Sequence, residues 1–196
     1  NFDKVIVFGP DHTSRSEFKV TTSDQNFIGY SKFVEVDAET AKSLKIPFDN
    51  ELHRYEWSIA DVVPFISQRF PHAKIVPVLF RWNLNYDESI KFGELIAKNM
   101  DDKTLLVASI DFAHIMPANE EFNNIEDGKS LDVLSSFRKE DVNALAAEGK
   151  PALIAFLRAM EIKGAKNVHL LNISAQSYPK GKSNQSVGYI SLIYAK

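Results

Sequence analysis

Short apolar runs alternate along this chain with segments of helical period. Val5–Phe8, Ile75–Phe80 and Leu105–Ile110 are nearly continuous runs of aliphatic, β-branched and aromatic residues, the pattern of strands buried on both faces. Between them, Trp57, Ile59, Val62, Val63, Ile66 and Phe70 recur at helical spacing and predict an amphipathic helix over 56–70, kinked at Pro64. Ser89–Met100 predicts another helix. Strand and helix in alternation predict a parallel sheet with crossovers. Phe18–Thr22 and Phe27–Val36 alternate loosely and predict further strands, and Asp37 is placed to cap a short helix through Ser43. Helical patterns follow over 127–137, 140–147 and 151–162, with Gly164 as a stop. Val168–Ile173 and Ser186–Tyr194 read as strands. The Pro/Gly linker Tyr178-Pro179-Lys180-Gly181-Lys182 predicts that these two pair antiparallel and that the sheet is mixed.

Composition narrows the picture. At 196 residues the chain holds one well-filled core and is too short for two, so 1–196 is expected to form a single domain. A formal charge of −3 with scattered Lys and Arg gives no footprint for nucleic acid, and no apolar stretch is long enough for a membrane span. With no cysteine, disulfides, thiolate metal sites and cysteine nucleophiles are excluded, while the compartment stays open, cytoplasmic or extracytoplasmic. The chain starts abruptly at Asn1 with a strand at once, which suggests a trimmed N-terminal segment, signal or anchor.

The candidate chemistry sits in histidine-bearing segments where strands hand over to loops or helices: Gly9-Pro10-Asp11-His12, His53-Arg54-Tyr55-Glu56-Trp57-Ser58 and Asp111-Phe112-Ala113-His114. Loops converge outside the carboxyl ends of strands in an open α/β sheet, so a shared pocket there is the leading expectation. His12 is a candidate metal ligand or acid/base; its bland alternative is a loop histidine bonding locally. Asp111 is costly at the end of so apolar a strand unless paired, and with His114 it forms a candidate acid/base pair. His53 and Glu56, three apart, permit a His/carboxylate pair; Trp57 is a pocket wall or a core residue. His72 reads as a turn residue and His169 as a strand residue. No phosphate-cradling glycine loop, nucleophile-elbow serine or paired zinc motif occurs.

Several of these segments occur together, in order, in a known family. Val-Ile-Val-Phe-Gly-Pro-Asp-His at 5–12, His-Arg-Tyr-Glu-Trp-Ser-Ile-Ala-Asp-Val-Val-Pro-Phe-Ile at 53–66, Ile-Val-Pro-Val-Leu at 75–79 and Val-Ala-Ser-Ile-Asp-Phe-Ala-His at 107–114 resemble Memo-like proteins, also called AmmeMemoRadiSam system protein B. Ala175-Gln176-Ser177 and Val187-Gly188-Tyr189 continue the likeness over nearly the whole chain, although family members usually carry a further segment before the first strand. The resemblance implies a three-layer α/β/α sandwich with a mixed, mainly parallel central sheet, similar to class III extradiol dioxygenases, which use non-haem iron. It implies metal-site histidines at His12 and at the position of Trp57, with Asp111 and His114 in the same pocket. Gln176 and Ser177 are expected to line that pocket beside Glu56 and Trp57.

The chain departs from the family pattern at two points. The indole of Trp57 is only a donor and offers no lone pair to a metal. Near Tyr178–Lys180, where some relatives place a cysteine ligand, no Cys, His, Asp or Glu stands. His53, one turn before Trp57, is the candidate replacement. With His12 and Asp111 it would complete two nitrogens and one oxygen, a donor set that suits iron, with copper as the other implied metal. Three functions stay open. The preferred one is a Memo-like protein with an altered, vestigial metal pocket that binds a small ligand or a protein partner. The second is a dioxygenase-like, metal-dependent oxidoreductase using a rearranged His/Asp site. The third is a metal-free hydrolase or isomerase using His114 and Asp111.

Overall fold

The computed structural model describes residues 2–178 and 184–196. In chain order its elements are β1 (Lys4–Pro10), β2 (Val20–Thr22), β3 (Phe27–Ile28), β4 (Phe33–Val34), α1 (Ala38–Ser43), α2 (Asn50–Tyr55), α3 (Trp57–Ala60) and α4 (Val63–Arg69). There follow β5 (Lys74–Phe80), α5 (Tyr86–Lys98), β6 (Thr104–Ala108), β7 (His114–Ile115), α6 (Glu120–Ser135), a 3₁₀ turn (Lys139–Ala144), α7 (Lys150–Ile162), β8 (Asn167–Ser177) and β9 (Ser186–Ala195).

The central sheet has the order β2-β5-β1-β6. β1 pairs parallel with β5 and with β6, and β2 lies antiparallel on β5, so the sheet is mixed and mainly parallel. Alternation of side chains across the pleat splits the core in two. Ile6, Phe8, Val76, Val78 and Leu106 face α5 and α7, where Ile96, Ile154 and Leu157 are buried. Val5, Val7, Ile75 and Leu79 face α2, α3 and α4, where Leu52, Ile59, Val63 and Ile66 are buried. Burial on both faces is why these strands read as unbroken apolar runs, and it makes the α/β/α sandwich.

Four expectations change in detail. The helix predicted over 56–70 is interrupted: Glu56 adopts extended backbone (φ −86°, ψ 124°) between α2 and α3, and its side chain caps α3 by accepting from Ser58 N. Pro64 falls in the first turn of α4, where its missing N–H needs no partner, so it begins a helix instead of kinking one. Phe27–Val36 folds into a small hairpin, β3–β4, closed by Gly29 N donating to Lys32 O at 2.8 Å. β8 and β9 are antiparallel, but with β7 they form a separate sheet, β7-β9-β8; the mixed character of the central sheet comes from β2. The expected linker Pro179–Lys182 lies outside the described residues. Among those residues no helix is long and apolar enough to cross a membrane.

Candidate functional site

The carboxyl ends of β1 and β6 bring two sequence-distant loops together at the rim of the sheet. After β1, Asp11 shapes its own turn: its Oδ1 accepts from Thr13 N, Thr13 Oγ1 and Ser14 N, which sends His12 toward the rim. α3 abuts the end of β1, with Ser58 Oγ donating to Pro10 O at 3.0 Å. That approach requires Gly9, because a Cβ there would overlap Ser58 Oγ and stand 2.9 Å from Ser58 Cβ. The result places Glu56 and Trp57 directly against His12.

Glu56 is almost fully buried and serves three donors. Its Oε2 accepts from His12 N at 2.9 Å, and its Oε1 lies 2.8 Å from His12 Nδ1 and 2.9 Å from Ser58 N. Burial penalises the carboxylate, but the hydrogen bonds from His12 and Ser58 outweigh it and hold Glu56 below the usual carboxylate range. His12 is pushed above the usual histidine value: the bond to Glu56 outweighs burial, and the charges of Glu56, Glu148 and Asp111 add to it. A carboxylate on Nδ1 orients the ring and leaves Nε2 as its working atom. Trp57 stacks on the same ring, with centroids 4.7 Å apart and planes 15° from parallel.

His12 Nε2 is buried and makes no hydrogen bond among the described residues. It nevertheless lies 3.2 Å from Glu148 Oε2 and 3.9 Å from Asp111 Oδ2, close enough for ion pairing. His114 Nε2 approaches the same carboxylates, 3.6 Å from Asp111 Oδ2 and 3.9 Å from Glu148 Oε1. Glu148 arrives through a backbone bond, its N donating to Asp111 O at 2.9 Å. Gly149 then takes the left-handed conformation (φ 59°) that starts α7, a turn a side chain would strain. Asn123 Nδ2 donates to Ala113 O at 2.6 Å, which fixes the peptide between Asp111 and His114. His12, Asp111 and Glu148 present ligand atoms within 4.8 Å of one another.

The structure thus gathers His12, Glu56, Trp57, Asp111 and His114 at one place. His53 is not in that group: it is buried on α2, its Nε2 3.3 Å from Thr21 Oγ1. Gln176 and Ser177 end β8, with Gln176 opposite Val187 of β9, itself opposite His114. Ser177 N donates to Glu120 Oε1. Two residues at the site were not singled out from sequence. Glu148 looks like a surface acid after a helical pattern; its one signal is the Gly-Lys-Pro helix start that follows it. Tyr189 bonds Tyr178 through their hydroxyls at 2.8 Å. That bond, burial and the charge of Asp111 raise Tyr189 to about 12.

A doubly covered, mainly parallel sheet with histidines and carboxylates converging beyond its strand ends defines an α/β protein with a candidate metal centre at the sheet rim. The comparisons with known proteins give the family. A family model described as Memo-like protein matches residues 1–193, and the chain belongs to that family. A MEMO1 family protein of Methanosarcina barkeri is 32% identical over 97% of this chain and 76% of its own length. One from Aquifex aeolicus is 25% identical over 98% of this chain and 75% of its own length. A solved structure of an uncharacterized protein, JW3007, from Escherichia coli K12 shares the fold, with a TM-score of 0.59 at 12% identity, covering 94% of this chain and 84% of that one.

Proposed function

We propose that this Memo-like protein is a metal-dependent enzyme or ligand-binding protein that holds a divalent first-row transition ion through His12 Nε2, Asp111 and Glu148. The observation that carries the reading is the buried, unbonded Nε2 facing two carboxylates. With Nδ1 donating to Glu56, a neutral His12 turns a lone pair toward negative oxygens, an arrangement that needs a proton or a cation between them. Separations of 3.2 and 3.9 Å from Nε2 to the carboxylates suit ligands around one ion with bonds of about 2.0–2.2 Å. One imidazole with two carboxylates favours iron(II) over copper(I), which prefers softer donors.

Bound there, iron supplies Lewis acidity and one-electron chemistry to an oxygen-donor ligand. The chain's own residues do the rest. Glu56 fixes the His12 tautomer, Trp57 keeps water from one face of the ring, and His114, partly exposed beside both carboxylates, takes or returns a proton. Asp111 and Glu148 are each 44% exposed, so the centre opens to solvent and to a small ligand.

The test is anaerobic titration with Fe²⁺ and Co²⁺, followed by calorimetry and by the visible bands of Co²⁺. One ion per chain is expected, with at least about a hundredfold loss in His12→Ala and in Glu148→Ala. No binding at millimolar ion, or binding indifferent to both substitutions, overturns the proposal. One observation favours a second reading, a metal-free pocket for a ligand or partner: Trp57, 51% exposed and stacked on a histidine held above its ordinary pKa. Aromatic ligands that bind apoprotein and are lost in Trp57→Ala would support that reading.

A further inference from the structure

Arg81 is a cation at the same rim with no acid to pair with. It follows the carboxyl end of β5, half-buried, and its Nε is sealed from solvent and bonded to nothing among the described residues. Nη2 reaches one protein oxygen, Ser14 O, at a long 3.5 Å. No carboxylate among the described residues comes within ion-pairing distance of it, and the residues outside them, Asn1 and 179–183, include no acid. We infer that Arg81 is an anion subsite for a small organic carboxylate, one whose far end carries an oxygen donor that reaches the cluster of His12, Asp111 and Glu148. For that far end the inference rests on the metal-binding reading; the carboxylate end stands on Arg81.

Backbone bonding fixes where Arg81 sits. Asp11 N donates to Phe80 O and Arg81 N to Lys19 O, each at 2.9 Å, so Arg81 stands between β2 and the turn that carries His12. Neighbouring strands lie about 4.7–4.9 Å apart, which sets the ends of β5 and β1 side by side. Arg81 alternates with Phe80 and so falls on the face of Leu79, where α3 packs through Ile59 and brings Glu56 and Trp57 to His12. Ser14, the residue its guanidinium touches, is two positions beyond His12 and donates its N–H to Asp11 Oδ1.

The acids nearby are engaged elsewhere. Asp11 spends Oδ1 on its own turn, and its Oδ2 is buried without a partner among the described residues, so Asp11 is not the counter-ion of Arg81. Glu56 serves His12 and Ser58, and Glu88 is paired with Lys19 at 2.7 Å. A guanidinium partly withdrawn from water is costly without an anion, and its planar fork matches a carboxylate through two parallel N–H···O bonds. The flanking side chains suit an organic ligand: Trp57 stacks on His12 with its other face open, and Trp82, the residue after Arg81, is 73% exposed.

Both tryptophans of the chain lie at this rim, so their fluorescence reads occupancy without any turnover. The probes are levulinate and levulinamide, which share a ketone oxygen and differ in charge at the other end, each titrated into the native protein with and without Co²⁺. The acid is expected to bind at least about tenfold tighter than the amide, because the bonds to the guanidinium are charge-assisted. Arg81→Gln should erase that difference, and Arg81→Lys should keep part of it. Equal binding of acid and amide by the wild type overturns the inference, as does a preference for the acid that survives in Arg81→Gln. Inorganic phosphate that binds more tightly than levulinate, and is lost in Arg81→Gln, overturns the carboxylate assignment. Co²⁺ is expected to tighten both probes through the ketone; Co²⁺ that binds without tightening either overturns the placement of the far end. A protein that binds no Co²⁺ sinks the metal-binding reading alone, since the preference for acid over amide is read equally in metal-free protein.

Discussion

His53 should make the fold acid-sensitive in a defined window. It is 4% exposed on α2, with Nε2 3.3 Å from Thr21 Oγ1 and Nδ1 without a partner among the described residues. Burial lowers its pKa to about 4, against smaller upward contributions from Thr21, Asp49 and Glu56. In the unfolded chain the histidine titrates near about 6.5. As pH falls below that value the unfolded state takes up the proton first, so stability declines from about pH 6.5 to about pH 4 and then levels. At about pH 4.5 the linkage amounts to about 2.5 kcal/mol, or roughly 5–10 °C in melting temperature for a chain of this size. His12, whose pKa is raised, contributes stability that is full below the unfolded value and fades at higher pH, so it is flat in this window. Glu56, whose pKa is lowered, contributes stability that is present above its unfolded value and lost as pH falls through its folded one. Both titrate in the wild type and in a His53→Gln variant, whose amide does not protonate. Urea unfolding at matched pH values, from about 7.5 to about 4.5, should show the wild type losing about 2.5 kcal/mol more than the variant. Two profiles that superimpose after a constant offset would refute the assignment.

Other perturbations address how the site is built. Under the proposed metal-binding function, Glu56→Gln should weaken the ion tenfold to a hundredfold, because the partner that orients His12 loses its charge; calorimetry with Co²⁺ reads it, and unchanged affinity counts against Glu56 as the orienting group. Gly9→Ala should destabilise by about 1–3 kcal/mol through overlap with Ser58, seen as a lower urea midpoint at unchanged slope; a neutral result would mean α3 can draw back from β1. Asn123→Ala removes one of the two donors to the Ala113 carbonyl, which keeps the bond from Gly188 N at 2.9 Å, and takes from buried Ser186 Oγ its acceptor on Asn123; the two losses should cost about 1–3 kcal/mol by the same assay. An Asn123→Ala protein as stable as wild type would show that the bond from Gly188 N suffices for that carbonyl and that Ser186 finds another acceptor.

What could be read from sequence follows from the range over which each signal acts. Val5–Phe8, Ile75–Phe80 and Leu105–Ile110 are legible because burial on both faces leaves no polar position to obscure them. The strand ends are legible with them, and so are His12 and Asp111, which follow those ends by one or two residues. The break at Glu56 was hidden because the apolar spacing of Trp57, Ile59 and Val62 is helical on either side of it; only a long-range fact, the pair of bonds to His12, favours the extended backbone there. The same break separates His53 from the rim. In one continuous helix the two residues would lie one turn apart on a shared face, whereas with Glu56 extended His53 stays in the core against Thr21. Glu148 was invisible for the complementary reason, since its place is set by a backbone bond to Asp111, 37 positions earlier in the chain, and by the left-handed turn at Gly149. The indole of Trp57, which offers no lone pair, covers one face of His12, and the carboxylate of Glu148, just before α7, stands at its Nε2. If an ion binds, its ligands come from the end of β1 and from the loops after β6 and before α7, and affinity should then respond to Glu148 and be indifferent to His53. A titration in which His53→Gln abolishes binding and Glu148→Ala does not would reverse that account.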